Sequence, residues 1–187
     1  SFGSRYSGQP SGSFGKIGCF SAHPLKNLNA CGDAGFLTTD NIDIAQQVRM
    51  SRNHGLADRN TVEEFGGVSR MDTMQAAILV YRLSQLNQTI ERRRKNAGLY
   101  KSLLELNKIF IPEECKEEFN TYHTFVIQCE KRDELQRYLI AHGIETAIHY
   151  PVPIHLQPAV FSLGISKGDF PVTEKQSERI LTLPVHQ

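Results

Sequence analysis

The stretch GKIGCFSAHPLKNL, at residues 15–28, contains the most informative signals of this chain. Its apolar run Ile17–Ser21 predicts a buried strand, because short apolar runs of this kind are typical of strands that are covered on both faces. Pro24 cannot continue the strand, since proline lacks a backbone N–H and has a fixed φ angle. Ser21 is therefore expected at a strand end, with Lys26 five residues later in a bent loop.

The position of Lys26 makes it a candidate for chemistry. Polar groups at the ends of buried strands are where α/β enzymes build their sites. A lysine there can be partly desolvated, which favours the neutral amine that forms an imine with a carbonyl compound. The alternative is a solvated surface lysine, one of nine in the chain. The spacing alone leaves both interpretations open.

The segments that follow this stretch predict an α/β protein. A second strand at Phe36–Thr39 comes after a turn at Gly32–Gly35 and pairs with the first strand as a hairpin. Asp40 or Asn41 then caps a helix, because both side chains can accept the unpaired N–H groups of a first turn. This helix is expected to end near Gly55.

A long helical region begins at Asp72 and continues to about Leu106, with a break near Asn87 or Gln88. The residues predicted to face inward are Met74, Ala77, Ile78, Tyr81, Leu86, Leu99, Leu103 and Leu104. The basic run Arg92–Lys95 in this region is predicted to be a solvated helix face rather than a nucleic-acid patch.

The chain changes in character at about residue 110. Strands are predicted at Tyr122–Gln128 and Thr146–His149, with a helix between them that Asp133 opens. A further helix is predicted over residues 173–181. This order of strand, helix and strand suggests a small α/β subdomain.

Length and composition exclude several classes of protein. The 187 residues suffice for one large domain or slightly more, and the 21 basic and 20 acidic residues nearly balance. This balance argues against a nucleic-acid partner, which usually requires a strongly basic face. No apolar run approaches the ~20 residues of a membrane helix. The Gly- and Ser-rich residues 1–16 predict a loop.

The cysteine and histidine patterns predict neither disulfides nor a metal site. The four cysteines form no CxxC pair, so they are interpreted as reduced thiols of a cytoplasmic protein. His149, His155 and His186 lack the tight spacing of metal ligands.

The stretch at residues 15–28 resembles a run shared by the DegT/DnrJ/EryC1/StrS sugar aminotransferases, a family of fold-type I pyridoxal-phosphate enzymes. That run is Gly-x-x-Gly-x-Phe-Ser-x-x-x-x-Lys-Asn-Leu, and a Gly-acid-Gly-Gly turn follows it, here at residues 32–35. Further matches are RNHG at 52–55, SRMDTMQAA at 69–77, YPVPIHLQP at 150–158 and LP at 183–184. These matches fall in order across nearly the whole chain.

The resemblance implies a fold and a division of the chain. The expected fold is the aspartate aminotransferase-like fold of pyridoxal-phosphate-dependent transferases, present as a partial large domain and a small C-terminal α/β domain. Residues 1–109 would form the C-terminal part of the large domain with long connecting helices. Residues 110–187 would form the small domain.

The resemblance also implies a cofactor and site residues. Lys26 matches the lysine that forms the internal aldimine with pyridoxal 5'-phosphate and moves the proton during amine transfer. Ser21 matches the serine that binds the cofactor phosphate. Relatives with histidine in place of this lysine are dehydratases, so Lys26 favours transamination. Tyr150 and His155 lie in a proline-fixed loop that covers the substrate in this family; the alternative is a role in packing.

The implied reaction moves an amino group from an amino acid, glutamate in this family, to a nucleotide-linked keto sugar. The product would enter cell-surface polysaccharide or antibiotic-sugar synthesis. Family members are homodimers, so we expect a homodimer of the complete protein, with no nucleic-acid or membrane partner.

Two departures from the family pattern stand out. Val68 occupies a position where many relatives have an asparagine that reaches the phosphate bound by the partner subunit, and valine cannot donate that hydrogen bond. The family's Asp that pairs with the pyridine nitrogen, its stacking aromatic and its phosphate loop would all lie upstream of Ser1. We therefore expect a chain that is cut at both ends and inactive by itself.

Two alternative functions remain open. One is amination of another cyclic ketone, such as an inosose or an aminobenzoate precursor. The other is a binding module that keeps the scaffold without catalysis; Val68 favours this alternative, whereas the presence of Ser21 and Lys26 opposes it.

Overall fold

The computed structural model describes residues 2–186, and the chain forms two compact units. The first unit contains Ser1–Glu91 and Cys115–Thr121, and the second contains Arg92–Glu114 and Tyr122–Gln187. The boundary expected between residues 109 and 110 falls inside the first segment of the second unit. The assignment of these ranges to two domains of a larger fold stays a prediction.

The first unit contains two small antiparallel sheets and helices that follow them. In chain order its elements are β1 (Arg5–Tyr6), β2 (Gln9–Pro10), β3 (Gly18–Ser21), β4 (Gly35–Thr38), α1 (Ile42–Ser51), α2 (Thr73–Ser84), the first turns of α3 (Leu86–Leu103), and β5 (Glu118–Phe119). One sheet has the order β2-β1-β5 and the other pairs β3 with β4.

The predicted hairpin is confirmed: β3 and β4 are antiparallel, with Ser21 opposite Gly35. The prediction of a loop over residues 1–16 is wrong for the four residues of β1 and β2, which pair with each other. Strands of two residues are too short to show an alternation of apolar and polar side chains, so the sequence carries no signal for them.

The helix ends of the first unit follow the predicted caps in part. Asn41 caps α1, because its Oδ1 accepts the N–H groups of Asp43 at 2.9 Å and Ile44 at 3.0 Å. Asp72 precedes α2 but makes no side-chain capping bond. The break between α2 and α3 lies at Gln85, slightly before the predicted position.

The core of the first unit lies between the β3–β4 hairpin and the helices. Its buried apolar residues are Ala22, Leu28, Ala30, Leu79, Leu86 and Ile90. Phe2 and Phe36 pack against it, and both contact Phe20: Phe20 stacks on Phe36 at 5.2 Å between ring centroids, and Phe2 meets Phe20 edge-on at 5.1 Å. The aromatic residue of the family motif, Phe20, therefore anchors the strand that carries Ser21.

The inward face of α2 differs from the predicted apolar stripe. Met74 and Tyr81 are exposed, whereas Leu79 is buried. Gln75 and Arg82 lie on the same face as Leu79, at i, i+4 and i+7, and form hydrogen bonds with residues 29–31. The prediction failed because this face combines one apolar residue with two polar ones, which a search for apolar periodicity does not find.

The second unit is an antiparallel strand pair with helices around it. Its elements are the rest of α3, β6 (Phe125–Gln128), α4 (Arg132–Ala141), two short 3₁₀ helices (Ile154–Leu156 and Pro158–Leu163), α5 (Pro171–Ser177) and β7 (Ile180–Leu183). β6 pairs with β7, with Phe125 opposite Leu183. The buried core residues are Ala97, Tyr122, Phe125, Ile127, Leu181, Leu183 and Val185.

Several local predictions for the second unit need correction. The strand expected at Thr146–His149 is a single bridge between Ala147 and Thr182. The helix expected over 173–181 gives way to β7 at Ile180, where alternate residues enter the core. Such short segments fit either state locally, so long-range strand pairing decides between them.

The inward side of α3 also differs from the prediction. Leu104 packs against the core of the second unit, but Leu99 and Leu103 are exposed. Arg93, expected on a solvated face, is buried and donates to the carbonyl oxygens of Tyr122 and His123, both at 3.2 Å. Within residues 2–186, none of the helices combines the length and hydrophobicity that a bilayer crossing requires.

Candidate functional site

Lys26 lies in the loop His23–Ala30, here called the Lys26 loop, which joins β3 to the turn before β4. The loop is bent by bonds within it. The N–H of Lys26 donates to the carbonyl oxygen of His23 at 2.8 Å, and the N–H of Leu25 donates to the Nδ1 atom of His23 at 3.3 Å. Asn29 donates from its side chain to the carbonyl oxygen of Pro24.

The Lys26 loop packs on the core of the first unit through the residues that follow Lys26. Leu28 and Ala30 are buried, and the N–H of Ala30 donates to the carbonyl oxygen of Ala22 at 2.8 Å. Asn27 is buried as well and donates from Nδ2 to the carbonyl oxygen of Thr121 at 3.0 Å. These contacts hold the backbone that follows Lys26 and tie the end of the loop to Ala22, the residue before it.

The structure brings Ser21 and Lys26 onto one supported segment. Ser21 is exposed at the end of β3, and its Oγ accepts the N–H of His23 at 3.4 Å. Its own O–H can therefore be donated to an anion. Lys26 is half-buried in the loop that follows. A hydroxyl donor and an amine at this spacing can hold a small molecule that contains both an anionic group and a carbonyl.

The other two predicted site residues lie in the second unit and differ from each other. Tyr150 is 72% exposed, so its ring and hydroxyl are accessible. His155 is only 9% exposed, and its Nε2 atom lies 3.0 Å from Oε1 of Glu174. The His155 ring also packs against Phe170, with 4.8 Å between ring centroids. Substrate contact by Tyr150 and His155 stays a prediction.

Glu174 of α5 holds His155 by a hydrogen bond, and the sequence did not predict this role. Its Oε1 atom accepts the N–H of Gly168 at 2.8 Å in addition to its contact with His155. These two hydrogen bonds, chiefly the one from Gly168, lower the pKa of the Glu174 carboxyl below its ordinary value. Glu174 is 19 residues away from His155 in sequence, and no local pattern links residues at such a distance.

Asn27 and Arg82 were also missed as residues that support the site. Asn27 stands in the family motif, but its role became visible only through its bond to Thr121, 94 residues away. Its Oδ1 atom is buried and has no hydrogen-bond partner among residues 2–186.

Val68 is exposed, and its backbone forms a bridge with Asn53.

Comparison with known proteins identifies the family. The family model described as the DegT/DnrJ/EryC1/StrS aminotransferase family matches residues 1–187. The chain is 38% identical over 186 residues to a pleiotropic regulatory protein of Geobacillus stearothermophilus, covering 98% of this chain and 50% of the relative. It is also 38% identical over 184 residues to the dTDP-3-amino-3,4,6-trideoxy-alpha-D-glucose transaminase of Streptomyces venezuelae, covering 98% and 48%.

A solved structure agrees with this match. The crystal structure of S. venezuelae DesV, in complex with a ketimine intermediate, superimposes with a TM-score of 0.94 at 38% identity, covering 98% of this chain and 50% of that chain. The chain belongs to the DegT/DnrJ/EryC1/StrS aminotransferase family, and its fold is part of the fold-type I pyridoxal-phosphate enzyme fold, as expected from the resemblance. It spans about half the length of the curated relatives that it matches.

Proposed function

We propose that the complete protein containing this chain is a pyridoxal-phosphate-dependent aminotransferase that aminates a nucleotide-linked keto sugar. The observation that carries the proposal is the supported segment with Ser21 at a strand end and Lys26 half-buried five residues later. Family membership adds the cofactor class. The name of the Streptomyces venezuelae relative, a dTDP-amino-sugar transaminase, supports the substrate class.

The residues present fit pyridoxal phosphate by their chemistry. The cofactor has an aldehyde, which needs an amine, and a phosphate, which needs hydrogen-bond donors. Lys26 provides the amine from a half-buried position, and Ser21 provides an exposed O–H whose oxygen already accepts the N–H of His23. Lys26 would hold the aldehyde carbon through Nζ, and Ser21 would donate to the phosphate.

Each residue of the segment has a distinct part in the proposed reaction. Bound pyridoxal phosphate supplies an electron-accepting ring. The Nζ atom of Lys26 accepts a proton as general base and returns it as general acid. Asn27 and Leu28 hold the backbone that carries Lys26, through the Thr121 carbonyl and the buried core. Proper placement of such a group matters, since proton transfer requires hydrogen-bonding distance.

The proposal extends to the donor and the setting. Glutamate is the proposed amino donor, the protein acts as a homodimer in the cytoplasm, and its product enters polysaccharide or antibiotic-sugar synthesis. Tyr150 and His155 are proposed to contact the nucleotide sugar. The accessibility of Tyr150 supports this role, whereas the burial of His155 beside Glu174 supports an indirect contribution through the shape of the loop.

The test is covalent trapping in the complete protein. The protein is incubated with pyridoxal phosphate, reduced with borohydride and digested, and the modified peptide is sequenced by mass spectrometry. We expect the label on Lys26, and none in Lys26→Ala. The matched control is Lys16→Ala, which removes an exposed lysine from the same motif. A label on another lysine, or no label at all, would contradict the proposal.

A substrate panel separates the proposed reaction from its alternatives. Amination of dTDP- and UDP-linked keto sugars is expected, with glutamate as donor. Turnover of an inosose or an aminobenzoate precursor alone would indicate the other cyclic ketones. Cofactor trapping without turnover would indicate a binding module, the alternative favoured by Val68, whose side chain cannot donate a hydrogen bond.

A further inference from the structure

Arg82 joins α2 to the Lys26 loop. Its Nη1 atom donates to the backbone oxygen of Asn29 at 2.8 Å and to the Oδ1 atom of the same residue at 2.8 Å. A longer contact of 3.4 Å reaches the carbonyl oxygen of Ala30. One guanidinium nitrogen therefore binds the loop end that lies three residues beyond Lys26.

The other hydrogen bonds of the loop show why this contact matters. The bonds of Lys26 to His23 and of Asn29 to Pro24 lie within the loop, so they move with it. Side-chain bonds from Asn27 to the carbonyl oxygen of Thr121 and from Arg82 to Asn29 join the loop to residues outside it. Asn27 holds the loop directly after Lys26, and Arg82 holds its far end.

α2 is well suited to serve as the fixed partner. Gln75, two turns before Arg82 on the same face, accepts the N–H of Cys31 through Oε1 at 2.8 Å. Leu79 lies between them and is buried in the core of the first unit. The helix thus contacts residues 29–31 through two polar side chains, and between them Leu79 belongs to the same buried cluster as Ala30.

We infer that Arg82 is a positioning residue: through Asn29 it sets the backbone that carries Lys26 and so fixes where the Lys26 amine lies during proton transfer. This inference rests on the proposed function. Hydrogen bonds from a charged donor are stronger than neutral ones, so a guanidinium with two acceptors on one residue restrains both its backbone and its side chain. Arg82 itself needs no contact with the substrate.

The experiment compares the complete protein with Arg82→Met, which keeps much of the apolar stem and removes the donor. In the cofactor-free protein, hydrogen exchange of the Lys26 and Ala30 amides should become about tenfold faster, since both amides are hydrogen-bonded in the loop. When pyridoxal phosphate is added, borohydride should trap less of it on Lys26 in Arg82→Met than in the wild type. The kcat should fall about tenfold with little change in KM for the sugar, because placement and not substrate binding is impaired.

Two further variants make the experiment decisive. Arg82→Lys keeps the charge on a shorter side chain, so its exchange and kcat should lie between those of the wild type and Arg82→Met; it also serves if Arg82→Met fails to fold. Arg137→Met removes an exposed arginine of α4 and should match the wild type in every readout.

The outcomes separate the inference from the proposed function. Unchanged exchange in the Arg82 variants would overturn the inference, and so would faster exchange with wild-type trapping and kcat, which would make the contact purely structural. A wild-type protein without a trapped Lys26 would instead contradict the proposed function, while the exchange data would still decide whether Arg82 orders the loop.

Discussion

The Lys26 loop of the first unit and the segment 150–158 of the second unit are both bent by proline, and both carry predicted site residues. They differ in what is buried. In the Lys26 loop the neighbours Asn27 and Leu28 are buried, while Lys26 keeps partial exposure. In the segment 150–158 a predicted site residue itself, His155, is buried against Glu174.

This difference shows two ways of holding a functional segment. The Lys26 loop separates the residues that support it from the residue that carries the chemistry, so a support can be changed without touching the amine. In the segment 150–158 one residue has both roles. His155 is a candidate binding residue, and the hydrogen bond to Glu174 that orders it also occupies its Nε2 atom. Of the two predicted site residues in this segment, Tyr150 is the exposed one.

The largest expected effect comes from removing the amine of the Lys26 loop. In the complete protein Lys26→Ala should lower the rate of amino transfer by on the order of 10²–10⁴, the contribution of a general acid–base group. Single-turnover kinetics with glutamate and a keto sugar would measure it. Lys16→Ala should retain the wild-type rate. An equal loss of rate in both variants would contradict the assignment of Lys26 as the general acid–base group.

A pair of core substitutions compares the two units directly. Leu28→Ala and Leu181→Ala each delete a buried side chain and should each lower the free energy of unfolding by about 2–5 kcal/mol. Only Leu28→Ala should also reduce cofactor trapping, since Leu28 is a buried residue of the loop that carries Lys26. Urea unfolding and borohydride trapping measure the two effects. If both variants lost cofactor trapping equally, the burial of Leu28 would have no specific role in holding the Lys26 loop.

Glu174, whose carboxylate accepts the N–H of Gly168 and contacts His155, should give the second unit a pH-dependent stability. Because the pKa of Glu174 is lowered on folding, its contribution is present above the ordinary glutamate pKa and is lost as the pH falls through the lowered value. Glu174→Gln should therefore lower the melting temperature by a few degrees near neutral pH, and the difference should shrink below about pH 4. Melting curves across this range measure it, and a constant difference would exclude the charge as its source.

Tyr150→Phe should have the smallest effect on stability, within about ±0.5 kcal/mol, because the Tyr150 side chain is 72% exposed. If the hydroxyl contacts the nucleotide sugar as proposed, KM for the sugar should rise with kcat nearly unchanged. Steady-state kinetics would measure this split. An unchanged KM would remove Tyr150 from the proposed binding residues.

Much of the Lys26 loop could be predicted from the sequence. The apolar run before Ser21, the proline after it and the turn before Phe36 are local signals, and the hairpin they predict is present. The cap by Asn41 is local as well. Such features depend on neighbours within a few residues, where backbone geometry and hydrogen bonding leave few options.

The supporting contacts could not be predicted in this way. The bonds of Asn27 to Thr121, Arg82 to Asn29 and His155 to Glu174 join residues 94, 53 and 19 positions apart. A polar residue on a helix can face solvent or a distant backbone oxygen, and its immediate neighbours do not distinguish the two.

The sequence by itself therefore determined the strand end with Ser21, the loop with Lys26 and, through its motifs, the family. Only the tertiary structure decided that Arg82 and Asn27 hold that loop and that His155 is paired internally. The physical reason is that buried polar groups must find partners, and which partners they find depends on the packing of segments that are far apart in the chain.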